Sequence, residues 1–173
     1  MLKTIAIVVV IFALAALFAW LSRRLQGKEK LPYEKKPAVL TKAEMRFFQV
    51  LLQATSGEPW WVFPKVGQKD VVGVIRGTQN YMSYFARLSQ KHFDFILCDK
   101  GSTAPILAIE LDDSSHDRAD RMERDSFVNR ACDAAGLPVL HQKVTKTYDP
   151  VALRREIHTC IAAQAAAAQR PAA

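Results

Sequence analysis

The 173 residues suffice for one ordinary domain and an appendage, and a hydrophobic content of 50% excludes a disordered chain. Cys98, Cys132 and Cys160 are odd in number, widely spaced and without a Cys-x-x-Cys pair, which argues against a disulfide framework or zinc cluster and fits a reducing compartment. The net charge is +7, but residues 1–40 hold seven Lys/Arg against two Glu (net +5) and the remaining 133 hold 17 Lys/Arg against 15 Asp/Glu (net +2), so the basic excess is no global footprint for nucleic acid.

Ile5–Leu21, IAIVVVIFALAALFAWL, runs 17 residues without a polar side chain. Extended by Thr4 and Ser22, it approaches the ~30 Å of a bilayer core, with Trp20 near one end as at a membrane interface. Residues 4–22 are therefore expected to form a transmembrane helix. A cleaved signal peptide carries its charges in front, but here only Lys3 precedes the run. Arg23, Arg24, Lys28, Lys30, Lys35 and Lys36 follow it, which predicts a single-pass inner-membrane protein, N-terminus outside and domain in the cytoplasm. Residues 23–40 read as a basic linker broken by Pro32 and Pro37.

Thr41-x-x-Glu44 is a capping box, and the helix TKAEMRFFQVLLQA follows, with Phe47, Phe48, Leu51 and Leu52 as its buried face. PWWVFPKV (59–66) reads as a strand; 70–77 is ambiguous. Residues 79–89 show helical spacing of Tyr81, Tyr84, Phe85 and Leu88, with Thr78 as cap. HFDFILCD (92–99) and PILAIELD (105–112) are apolar on both faces, as central strands are, and the short KGSTA loop makes them an antiparallel hairpin. A register centred on Ser102 sets Asp94 opposite Glu110, with Asp112 on the same face. A helix is expected over 117–135, its core side Phe127, Val128, Ala131, Ala134 and Ala135, stopped by Gly136. A strand over 137–144, a helix from Pro150 and a fraying Ala-rich tail over 161–173 complete a domain of 41–160. Helices flanking a two-faced sheet imply a three-layer α/β/α sandwich.

Asp94 lies between Phe93 and Phe95, and Glu110 between Ile109 and Leu111. Opposed carboxylates in such surroundings repel unless a proton or cation joins them, and a hard divalent cation such as Mg²⁺ meets that need. Asp112 also suits an ordinary strand end.

The segments LTKAEMRFF, HFDFILCD with PILAIELDDSSH, and ERDSFVNRACDAAGLPVL resemble an uncharacterised bacterial domain family within the restriction-endonuclease-like PD-(D/E)XK superfamily. The last two are also similar to very-short-patch repair endonucleases. The resemblance covers about residues 40–145. It implies a Mg²⁺- or Mn²⁺-dependent nuclease acting on nucleic acid, with DNA the preferred substrate. Asp94, Glu110 and the Leu111 carbonyl would ligate the metal. Glu44 matches a first-helix carboxylate of some members, though its capping role is an adequate alternative. The superfamily's Lys is replaced by Asp112. His116 is the substitute that the resemblance suggests, against the plain reading of an exposed loop histidine. Arg121 and Arg124 fit a salt-bridged helix face or, secondarily, phosphate contacts; His141 and Lys143 are weaker candidates. The different-class alternative is a non-cutting module that binds nucleic acid or protein at the membrane.

Overall fold

A computed structural model describes residues 1–25, 31–112 and 119–169. Two compact units are present, Met1–Pro37 and Ala38–Ala173. The first carries helix α1 (Leu2–Leu25), whose stretch Lys3–Arg23 is long and apolar enough to cross a membrane: 21 residues span ~31 Å.

The second unit is mixed α/β. In chain order it comprises α2 (Lys42–Ala54), β1 (Trp60–Gly67), a 3₁₀ turn (Gln68–Asp70), α3 (Tyr81–Ser89), β2 (His92–Asp99), β3 (Pro105–Asp112), α4 (Ala119–Ala134), β4 (Val139–Lys143) and α5 (Pro150–Ala168). The sheet has the order β1-β2-β3-β4. The first two pairings are antiparallel, and β3 pairs with β4 in parallel. A parallel pair needs a crossover, and α4 supplies it.

From Phe95 onward the apolar run of β2, and that of β3, divide by period two between two cores, with Phe93 out of step. Phe95, Leu97, Leu107 and Ile109 pack under α2 and α5, with Phe47, Leu51, Leu153 and Ile157. Phe93, Ile96, Cys98 and Ala108 pack on the opposite face with Phe127, Val128 and Cys132 of α4 and Leu88 of α3. Each fully buried Phe, Leu or Ile contributes ~1.5–3 kcal/mol, which is why these strands carry apolar side chains on both sides.

The helix ends follow local chemistry. Thr41 Oγ1 accepts the Glu44 N–H at 3.2 Å, and Glu44 Oε2 accepts the Thr41 N–H at 2.8 Å, so the capping box is formed. At the end of α4, Gly136 stands at φ +70°. The Gly136 and Leu137 N–H groups donate to the Asp133 and Cys132 carbonyls in a Schellman motif. Asp149 caps α5 through the Val151 N–H, with Pro150 at the first helical position.

Several expectations are corrected. Leu52 is exposed: Phe47, Leu51 and Ala54 form the i, i+4, i+7 stripe of α2, and Leu52 lies off it. Ala134 and Ala135 are exposed, and Cys132 takes the inward position. Thr78 does not cap α3. Its hydroxyl donates to the Ile75 carbonyl, and left-handed Asn80 precedes the helix. The last strand begins at Val139, because the Schellman turn occupies Gly136 and Leu137. Helix α5 continues through the Ala-rich segment to Ala168.

Candidate functional site

The register centred on Ser102 is present in Leu97–Leu107, Ile96–Ala108 and Phe95–Ile109, and shifts to Cys98–Pro105 beside the turn. The ladder ends at Phe95–Ile109, so the expected Asp94–Glu110 pair is not made. Instead Asp94 Oδ2 accepts the Leu111 N–H at 2.9 Å. Where the strands part, a carboxylate stands in for the missing ladder partner.

Strand β1 departs from regularity at the same level. Its ladder with β2 joins Pro64 to Phe95 and Val66 to Phe93, stepping over Lys65 and Asp94. Lys65 has φ 56°, the left-handed region that side chains beyond Gly rarely occupy. Both strands change face here. Phe93 and Val66 belong to the α4-side core, whereas Phe95 and Val62 belong to the α2-side core. In an unbroken strand Phe93 and Phe95 would share a face. The irregularity re-aims Lys65 and Asp94 toward α2, as bulges do.

The result is a three-residue cluster from three elements. Lys65 Nζ donates to Glu44 Oε1 at 2.6 Å and to Asp94 Oδ1 at 2.7 Å. The three side chains are only 14–22% exposed. Burial raises the Glu44 pKa, but hydrogen bonds from Lys65 and the Thr41 amide outweigh it and hold the carboxyl below its usual range. Burial likewise lowers the Lys65 pKa, and Asp94 and Glu44 outweigh it and raise it. The cation that joins two carboxylates here is the chain's own ammonium.

Glu110 is half-buried and follows the face of Ala108, toward α4. Burial first, then the Asp133 and Glu110 charges, push the Cys132 thiol up to about 12. In the parallel pairing Glu110 sits beside His141, and Asp112 beside Lys143. His141 Nδ1 lies 3.3 Å from Asp112 Oδ2, and Nε2 lies 3.1 Å from Asn129 Oδ1 of α4. A second polar group thus occupies the α4 side of the same sheet end. Asp112 and Asp94 take different partners, and Leu111 meets Asp94 through its amide rather than its carbonyl. His116 lies outside the described residues, as do the side chains of Arg121 and Arg124. Among the described residues, no three His, Cys, Asp or Glu side chains are grouped to hold a metal ion.

Sequence reasoning missed Lys65. The available signal was a lysine following Pro64 inside an otherwise apolar strand, a poor place for an unpaired charge.

A family model described as Protein of unknown function (DUF2726) matches residues 36–160. The chain belongs to the DUF2726 family. The matched span holds both sides of the sheet end, from Glu44 to His141, and excludes the apolar helix α1. No curated protein and no solved structure matches the chain.

Proposed function

We propose that the DUF2726 domain is a metal-dependent nuclease of restriction-endonuclease-like plan, which cleaves nucleic-acid phosphodiester bonds and is anchored by α1 to the cytoplasmic face of the inner membrane. The observation that supports this most is the Lys65 ammonium held by Glu44 and Asp94. The superfamily resemblance calls for a lysine where Asp112 stands; Lys65 of β1 instead meets Asp94, one of the two carboxylates that the resemblance assigns to the metal. An ammonium has three donors, so Lys65 can turn one hydrogen to a phosphate oxygen while keeping its carboxylate partners.

Asp94, Glu110 and the Leu111 carbonyl are oxygen donors of the kind a hard divalent cation takes. Asp94 is turned to Lys65 on the α2 side and Glu110 to the α4 side, so one ion would be held by both only after Asp94 leaves Lys65. Each Asp94 oxygen accepts one hydrogen bond and keeps acceptor capacity. When bound, Mg²⁺ or Mn²⁺ lowers the pKa of attacking water and offsets phosphoryl charge. His141, oriented by Asp112 and Asn129, is the described histidine nearest in register to Glu110 and is positioned to carry a proton.

A second reading is a non-cutting module that tethers nucleic acid at the membrane. It is favoured by the ion pairing of both carboxylates with Lys65. The test uses the full chain in detergent micelles on mixed single- and double-stranded DNA and RNA, with Mg²⁺, Mn²⁺ or chelator. Metal-dependent cleavage lost in Asp94→Asn and Lys65→Met supports the nuclease; binding without cleavage supports the module; neither binding nor cleavage refutes both. Reporter fusions after residue 40 that are active only in the periplasm would overturn the topology.

A further inference from the structure

We infer that strand β1 is a stacking platform for unpaired bases, which makes single-stranded nucleic acid the substrate class; this rests on the nucleic-acid reading above. Trp60 and Val62 of β1 turn into the α2-side core, so Trp61 and Phe63 lie on the other face. Both are exposed there, at 50% and 39%. Leaving two large aromatic rings in water forgoes the stabilisation that burial gives elsewhere in the sheet.

Trp61 is held rather than loose. Its indole N–H donates to the Lys100 carbonyl at 3.3 Å, and the Lys100 ammonium sits 5.6 Å from the ring centroid. Lys100 Nζ is itself fixed by the Glu58 carbonyl at 2.8 Å. The neighbouring Asp99 carboxylate is taken up by the Gly101 and Ser102 amides and the Ser102 hydroxyl, within the turn. A pinned ring with a cation beside it suits a base and its phosphate together.

Trp61 and Phe63 are two residues apart, about 7 Å along the strand, the way sheet aromatics take successive splayed bases. Lys65 is two residues further on. The irregularity turns Lys65 to the α2 side, so a single strand with bases on Trp61 and Phe63 reaches the Glu44–Lys65–Asp94 cluster by passing round the outer edge of β1, the end strand of the sheet. Duplex bases have their faces covered by one another and gain nothing from this platform. Pairing of β1 with a second copy is opposed by Pro64, which lacks an N–H, and by the irregularity at Lys65.

The experiment measures anisotropy of labelled 20-nucleotide single strands and duplexes with the full chain in micelles and chelator. Single strands should bind more tightly than duplexes. Trp61→Ala and Phe63→Ala should each weaken single-strand binding about 5–150-fold, the effect of losing one stacked base. Trp61→Phe should retain most of it, and duplex binding should not change. Thermal melting of each variant controls for folding. Wild-type affinity for single strands in both Ala variants, or no single-strand preference, overturns the inference; so does a dimer by light scattering that Trp61→Ala converts to monomer. Cleavage indifferent to Trp61 refutes the platform alone. Trp61-dependent binding without cleavage refutes the nuclease alone.

Discussion

Lys65→Met tests whether the ammonium holds the sheet end together. The substitution keeps the aliphatic stem and leaves Glu44 and Asp94 without the cation at 2.6 and 2.7 Å. Breaking a fully buried pair costs about 3–5 kcal/mol; slight exposure of these side chains reduces that to about 2–4 kcal/mol. For a unit of this size, Tm should fall by roughly 6–20 °C. Lys65→Gly loses the same charge but relaxes the left-handed backbone at φ 56°, so it should be more stable than Lys65→Met by about 1 kcal/mol. Adding Asp94→Asn to Lys65→Met should restore part of the loss, because one of the two uncompensated charges disappears. Urea unfolding of the four proteins at pH 7 measures each value. Equal stability of wild type and Lys65→Met would show that the ammonium contributes nothing, and the site argument would fail with it.

The other expectations concern pH, thiol chemistry and a helix end. The depressed Glu44 pKa means stability present above its unfolded pKa of about 4.3 and lost as pH falls through the folded value. The raised Lys65 pKa means stability fully present below about 10.4 and lost as pH rises through the folded value. The gap between wild type and Lys65→Met should therefore be widest from about pH 5 to pH 10; a gap that grows in acid contradicts the ion pairing. Cys132, with its thiol at about 12 and 1% exposure, should resist a thiol reagent at pH 8 until the chain unfolds, while half-buried Cys160 reacts first. Prompt native labelling of Cys132, followed by mass spectrometry, refutes that. Gly136→Ala should cost about 1 kcal/mol of backbone strain at φ +70°, since the nearest atom to an added Cβ is Gln164 Nε2 at 4.0 Å; an unchanged urea midpoint refutes it.

The elements that were legible in the sequence are those whose reasons are local. The capping box at Thr41 and Glu44 needs four residues, and the β2–β3 register needs one short loop and two apolar runs. The box is formed, and the register is present over Phe95–Leu97 but shifts at Cys98 and stops short of Asp94. Leu52 and Ala134 were misplaced because a helical stripe is about 100° wide and its edges depend on the partner helix. The cluster was half legible. Glu44 announced itself through its capping box and Asp94 as a carboxylate among apolar neighbours, but Lys65 lies 21 residues from one and 29 from the other. Its presence depends on a backbone irregularity, which side-chain periodicity does not encode. The same irregularity separates Asp94 from the face of Glu110, because period-two reasoning assumes an unbroken strand.

That irregularity bears on why carboxylates enter this core at all. A lysine held at φ 56° costs about 1–2 kcal/mol against an ordinary strand conformation, and glycine would remove the strain. Simple stability would be met more easily still by apolar residues at 44, 65 and 94, since replacing a buried ion group by packed hydrocarbon is often neutral or favourable. The arrangement retained is the strained and charged one, at the end where β2 and β3 part, beside Glu110 and the Asp112–His141 contact. Glu44 joins both structures, since one oxygen caps α2 and the other receives Lys65. Removing the cap with Thr41→Ala should therefore do more than fray a helix. The loss of stability should be about 1 kcal/mol, as for other caps. If the nuclease reading holds, cleavage should also fall, because the first turn that positions Glu44 against Lys65 is loosened, while the residue 41 N–H still donates to Glu44 Oε2. Thr41→Ser keeps the hydroxyl and should keep both. A stability loss in Thr41→Ala without any change in cleavage would mean that Glu44 serves the helix only, and the site would contract to Lys65, Asp94 and their neighbours on β3.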